Sequence, residues 1–267
     1  MFGDALLADF PFSAFVSKTI TLEPRAGNPP PRLYETPAGM INSIGLPNKG
    51  LRGYLEQDLP ELARLPVPLI TNVMGSTAAE IAALLEAVDA RPEIAAVELN
   101  VSCPNVKTGL DIGSDPRELA AVLGEVRDRT SKPLIVKLTP NTADVAQVAE
   151  AAEASGADAV SLINTLRAFA PDPRNDGEAW LGGGTGGLSG PAVRAVALAQ
   201  VAAVARRVSI PIVGMGGVQT GAHALQLLEA GATLVAVGTE SFRDPAAGGR
   251  IARELDDLLA KSGPFVH

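Results

Sequence analysis

The segment Glu98-Leu99-Asn100-Val101-Ser102-Cys103-Pro104-Asn105 holds two side-chain amides and one thiol in a short stretch. Amides orient ring imides and carboxylates through paired donors and acceptors. A thiol at or near ionisation can take a proton. A lone cysteine is equally at home as a small buried hydrophobe, so chemistry at Cys103 depends on what surrounds it. Two lysines stand at comparable places. Lys137 closes the apolar run Leu134-Ile135-Val136, where a buried charge requires a partner. Lys18 precedes Thr19-Ile20-Thr21 and reads either as a solvated surface lysine or as a cation at a strand end. Gly214-Met215-Gly216-Gly217 and Gly238-Thr239 are glycine turns after two late apolar runs. Read singly they are ordinary tight turns. After consecutive strands they bring backbone N–H groups close to a phosphate.

Such residues need strand ends to hold them. Apolar runs at 14–20, 68–74, 95–101, 133–138, 159–164, 211–215 and 233–237 are mostly continuous rather than alternating, the pattern of strands buried on both faces. Between them lie Ala-rich helical stretches at 77–88, 116–130, 142–155, 191–207, 221–230 and 245–261. Val145, Val148, Ala149 and Ala152 form one helical stripe. Strand–helix alternation gives an open doubly wound sheet or a closed barrel. The paired glycine turns favour the barrel, whose phosphate site lies after its last two strands and whose active site lies at the strands' C-terminal ends.

The expectation is therefore an α/β fold, a TIM (β/α)8 barrel forming a single domain over 1–267. Seven strands are legible where closure needs eight. The opening Met1-Phe2-Gly3-Asp4 reads like a loop after a strand, so the missing one is expected to be the first, through truncation or a misassigned start. Two long insertions, 22–47 and 167–189, are expected as lids or binding loops.

Composition excludes several classes. The formal net charge is −8 with no basic patch, which argues against nucleic acid. The lone cysteine forbids an internal disulfide and fits a reducing cytoplasm. No apolar run approaches a membrane span, and no secretory signal is visible. Two histidines, His223 and His267, cannot form a metal cluster, and without a Cys-x-x-Cys pattern the chain carries no iron–sulfur centre of its own. Glu23, Arg25, His223 and Trp180 are read as structural.

Taken in order along the chain, several motifs resemble the dihydroorotate dehydrogenase family. They are Ser17-Lys18-Thr19-Ile20-Thr21, Asn42-Ser43-Ile44-Gly45-Leu46-Pro47-Asn48, Asn100-x-Ser102-Cys103-Pro104-Asn105-Val106-Lys107, Val136-Lys137-Leu138, Ile163-Asn164-Thr165, Gly186-Gly187-Leu188-Ser189-Gly190-Pro191, Gly214-Met215-Gly216-Gly217 and Val237-Gly238-Thr239. Each is modest alone; together they are highly specific. The cysteine resembles class 1, and Thr36-Pro37-Ala38-Gly39-Met40 with Ser102–Gly109 looks most like the NAD-linked 1B catalytic subunit.

The resemblance implies FMN-dependent oxidation of dihydroorotate to orotate in pyrimidine (UMP) biosynthesis. Cys103 would be the base at C5, with hydride passing from C6 to FMN. Lys18, Asn42, Ser43, Ile44, Gly45, Leu46, Asn100, Asn105, Asn164 and Thr165 would contact substrate. FMN would be held by Lys18, Thr19, Asn72, Asn100, Lys137, Ile163, Gly190, Gly216, Gly217, Gly238 and Thr239, with Lys137 stabilising the reduced flavin. A homodimer is implied, and a heterotetramer with an electron-transfer flavoprotein subunit that carries FAD and a 2Fe-2S cluster.

Departures are the missing first strand with its FMN-contacting turn, Leu110 where a second glycine is common, and Ala168 where glycine is usual. Competing readings are an FMN barrel acting on another dihydropyrimidine or using fumarate, a flavin-free phosphate-binding isomerase or aldolase, and a truncated inactive paralogue. The flavin-free barrel would have no use for Asn100 and Cys103 together.

Overall fold

The computed structural model describes residues 10–102, 112–175 and 177–262. The strands are β1 (Phe15–Val16), β2 (Leu33–Thr36), β3 (Gly39–Asn42), β4 (Leu69–Val73), β5 (Ile94–Asn100), β6 (Leu134–Lys137), β7 (Ala159–Leu162), β8 (Leu166–Phe169), β9 (Thr185–Ser189), β10 (Ile212–Met215) and β11 (Leu234–Ala236). The longer helices are α1 (Ala78–Asp89), α2 (Pro116–Val126), α3 (Val145–Ala154), α4 (Arg194–Ala205), α5 (Gly221–Glu229) and α6 (Ala247–Ser262).

Seven strands form one parallel sheet in the order β1-β4-β5-β6-β7-β10-β11. Sheet order follows chain order, and helices α1 to α5 separate the strands from β4 onward. This is the β/α wheel of a TIM-type barrel. All seven expected strands are present, with β1 and β11 at the ends of the sheet among the described residues. β1 is shorter than expected, although Ile20 beyond it bridges Val73 in parallel.

Local chemistry fixes the helix starts. Thr77, Asp115, Asp144 and Thr220 each accept a backbone N–H of the first turn of α1, α2, α3 and α5. Pro116 at the first position of α2 gives up no hydrogen bond. The apolar stripes then pack inward. Leu84, Leu85 and Val88 of α1, Leu119 and Leu123 of α2, and Val148 and Ala152 of α3 are fully buried against Val97, Leu99, Val136 and Val160. Among the described residues no helix is long and apolar enough to cross a membrane.

The two insertions are not irregular loops. They meet in a second, antiparallel sheet ordered β2-β3-β9-β8. Ile41, Ala170 and Leu181 form its small core, with Tyr34 and Trp180 packed alongside. Trp180 donates Nε1–H to the Leu33 carbonyl at 3.3 Å, and the Arg174 guanidinium lies 5.0 Å from its ring. Glycines and prolines hide these strands. Gly186 and Gly187 supply no side chain to alternate, and Pro29-Pro30-Pro31 masks the entry to β2.

Candidate active site

In a strand, residues two apart share a face. Glu98 and Asn100 of β5 therefore point the same way, and pairing extends that face. Asn72 of β4 is the partner of Glu98, Asn100 is the partner of Lys137, and Lys137 is the partner of Ser161. This row of polar residues contrasts with the apolar partners Leu99 and Val136 that pack on the helices.

Asn72 is buried, and its backbone N–H donates to Ser17 Oγ at 3.2 Å, tying β4 to the end of β1. Its side-chain Oδ1 is buried with no hydrogen-bond partner. An orphaned amide oxygen costs free energy unless a ligand satisfies it. Thr19 is buried, whereas Lys18 beside it keeps solvent exposure on one side. Burial, and then the positive charge of Lys137, hold Lys18 below the ordinary lysine value. Among the described residues neither lysine has a carboxylate within ion-pair distance. Two unpaired cations at the strand ends suit an anionic or electron-rich ligand.

The amides converge next to this row. Asn100 Oδ1 accepts the Ser102 N–H at 3.1 Å and Asn164 Nδ2 at 3.3 Å. Asn164 Nδ2 also donates to Ser102 Oγ at 2.9 Å, and its Oδ1 accepts the Thr165 N–H at 2.8 Å. Ser102, Asn164 and Thr165 line a cavity of about 170 Å³ together with Asn141, Arg167 and residues 185–187. Asn164 follows β7, so β5 and β7 deliver the pair across the intervening β6. Cys103 and Asn105 lie outside the described residues. Ser102, the residue before Cys103, is in the cavity wall.

Asn42, Ser43, Ile44, Gly45 and Leu46 form one turn from the end of β3. Asn42 Nδ2 donates to the Gly187 carbonyl at 3.2 Å, which joins this turn to the cavity wall. Gly45 has φ of 72° and Leu46 of 54°. A Cβ on Gly45 would sit 2.4 Å from the Asn28 backbone nitrogen, so only glycine fits. Asn28 Nδ2 donates to Ser43 Oγ at 2.9 Å, and the Asn28 N–H to the Ile44 carbonyl at 3.1 Å. Asn48 Nδ2 donates to the Leu46 carbonyl at 2.9 Å. Asn28 and Asn48 thus hold the turn in its unusual conformation. Sequence reading assigned neither of them a role. The one available signal was an Asn on each side of a Gly-containing stretch.

The glycine turns come together in space. Gly190 and Gly217 have φ of 90° and 70°. A Cβ on Gly217 would meet the Gly190 carbonyl at 2.9 Å, and one on Gly190 would meet Thr239 Cγ2 at 3.5 Å. A Cβ on Gly216 would lie 3.3 Å from Ile163 Cγ1. Gly190, Gly216, Gly217, Thr239 and Ile163 therefore surround one small region at the ends of β7, β10 and β11. Gly238 has open space around its Cα. At Gly216 and Gly217 a side chain would crowd its neighbours, and the backbone there is bare.

Sequence reading also gave no role to Glu98, a fully buried carboxylate that accepts Ser161 Oγ–H at 3.0 Å. Among the described residues no group of three His, Cys, Asp or Glu could hold a metal ion.

A family model described as dihydroorotate dehydrogenase matches residues 3–259. Curated relatives agree. The catalytic subunit of dihydroorotate dehydrogenase B (NAD(+)) from Geobacter sulfurreducens is 49% identical over 251 residues, covering 94% of this chain and 82% of that protein. The proteins of the same name from Geotalea daltonii and Desulforudis audaxviator are 47% and 48% identical, and each alignment covers 94% of this chain and 82% and 81% of the relative.

Proposed function

The chain belongs to the dihydroorotate dehydrogenase family, and from that premise we propose that it oxidises (S)-dihydroorotate to orotate in UMP synthesis, with FMN as its cofactor. The observation that carries the reading is the cluster of the Asn100 and Asn164 amides with Ser102, the residue before Cys103. Dihydroorotate presents amide-like ring edges and one carboxylate, and neutral amides and hydroxyls match those edges.

The inner face fits a flavin. The buried Asn72 Oδ1 has no donor within the protein and would accept a hydrogen bond from a bound ring. The glycine cradle leaves room for a phosphate and its ribityl chain. Asn72, Asn100, Lys137 and Ile163 would line the ring, with Lys18 and Thr19 beside it. Gly190, Gly216, Gly217, Gly238 and Thr239 would hold the chain and phosphate. When bound, FMN supplies the acceptor for the hydride that leaves C6.

The protein's own groups do the rest. Cys103 takes the C5 proton, so that loss of a proton and a hydride leaves the C5–C6 double bond. Asn100, Asn105, Asn164 and Thr165 orient the ring, and the turn from Asn42 to Leu46 closes over its other edge. Lys18 faces the carboxylate. Lys137 offers positive charge where reduced flavin gathers negative charge. The relatives' name, a catalytic subunit of an NAD(+) enzyme, supports a further reading. Two copies of this chain would pass electrons to a partner subunit carrying FAD and a 2Fe-2S cluster, and so to NAD in the cytoplasm.

The test is spectroscopic. The purified protein is expected to carry a flavin spectrum that bleaches when dihydroorotate is added without oxygen. A protein that stays colourless after FMN is supplied would sink the proposal.

A further inference from the structure

Among the described residues, the cavity that holds Asn164 and Thr165 is lined by hydroxyls, amides, glycine backbone and one ionisable side chain, Arg167. The backbone of Arg167 is anchored on both sides. Arg167 lies on β8 opposite Gly187 of β9, and its N–H donates to Asn141 Oδ1 at 2.9 Å. Asn141 is itself fixed, with Nδ2 donating to the Thr165 carbonyl at 3.0 Å and to Thr139 Oγ1 at 3.1 Å. The Arg167 side chain is exposed and, among the described residues, has no carboxylate partner. Arg174, nearby in sequence, is instead bound to Asp172 at 2.8 Å. The chain as a whole carries a net charge of −8, so an anion approaches against the mean field.

We infer that Arg167 is the capture residue for the anionic substrate: held at the cavity wall by Asn141, it draws the dihydroorotate carboxylate towards the amide cluster and releases it before the chemical step. The inference rests on the function proposed above. A single exposed cation within about one Debye length of the entry acts on encounter more than on bound-state energy. Its effect belongs in the second-order rate constant and disappears in salt.

The experiment is stopped-flow reduction of the flavin-loaded protein by dihydroorotate, over a series of substrate and salt concentrations. For Arg167→Gln the second-order constant is expected to fall roughly 3- to 10-fold at low ionic strength, while the limiting rate at saturation holds. The gap should close at high salt. Arg167→Glu should lose more, and Arg167→Lys should restore most of the wild-type value. An Arg167→Gln constant equal to wild type at low salt overturns the inference. So does a loss that persists unchanged in high salt, which would mark a structural effect. Wild-type protein that is not reduced at all would instead overturn the proposed function.

Discussion

Asn164 faces Asn100 across β6, with Nδ2 donating to Oδ1 at 3.3 Å and to Ser102 Oγ at 2.9 Å. One side chain therefore sets the orientation of both groups on the other side of the cavity. Asn164→Ala removes this donor and leaves Asn100 Oδ1 with the Ser102 N–H alone. Losing one member of such a pair costs about 1–3 kcal/mol. Orotate affinity, read from the change it causes in the flavin absorbance, is expected to weaken about 5- to 150-fold. Affinity equal to wild type would remove Asn164 from the substrate site.

Gly217 tests the proposed phosphate cradle. Its φ of 70° is a left-handed conformation, and a Cβ there would approach Arg194 Cβ to 2.7 Å. Gly217→Ala combines that contact with a backbone penalty of about 1–2 kcal/mol. The variant is expected to fold with a lowered Tm and to purify with little flavin, measured as the ratio of flavin to protein absorbance. Gly124→Ala is the control. It sits within α2 with nothing near its Cα, so it should keep full flavin and gain slightly in stability. Full flavin content in Gly217→Ala would place the phosphate elsewhere.

The barrel was legible because its signals are local. Short apolar runs such as Leu134–Lys137, bounded by proline and turn residues, read as strands, and caps such as Thr77 and Asp144 mark where helices start. The glycine turns were legible as turns for a similar reason, since glycine after an apolar run marks a bend of the backbone. The second sheet was not. β9 reads Thr-Gly-Gly-Leu-Ser, and its pairing with β3 and β8 is a long-range event with no alternating pattern to announce it. Asn28 and Asn48 were missed because their importance lies in the turn they grip, which sequence does not reveal. Glu98 was missed because a carboxylate inside an apolar run looks like an exposed position until its partner on β7 is known.

On the proposed function, Cys103 is the residue on which the chemistry turns. Cys103→Ser keeps the size of the side chain but replaces a group that ionises readily with one that does not. The flavin should remain bound at wild-type occupancy. Reduction by dihydroorotate should slow by roughly 10²- to 10⁴-fold, the usual worth of a positioned base. Rapid mixing under anaerobic conditions measures this directly. Reduction at the wild-type rate would show that another group takes the C5 proton.

Lys18 is expected to trade stability for binding. Burial and the nearby Lys137 hold its pKa below the unfolded value of 10.5. The folded state therefore disfavours the charged form relative to the unfolded chain. Below the folded pKa both states carry the charge, and the fold bears the whole penalty. As pH rises from the folded pKa towards 10.5, the folded protein sheds its proton first and the penalty fades. Lys18→Met removes the penalty outright. Stripped of flavin, this variant should melt above wild type at neutral pH, and its advantage should shrink as pH climbs towards 10.5. The flavin-loaded variant should bind orotate at least 10-fold more weakly, since a charge-assisted contact of roughly 1.5–3 kcal/mol is lost. Thermal scans across pH and an orotate titration check both halves. A flavin-free variant that melts below wild type at neutral pH would mean that Lys18 holds the barrel together, not that it waits there for an anion.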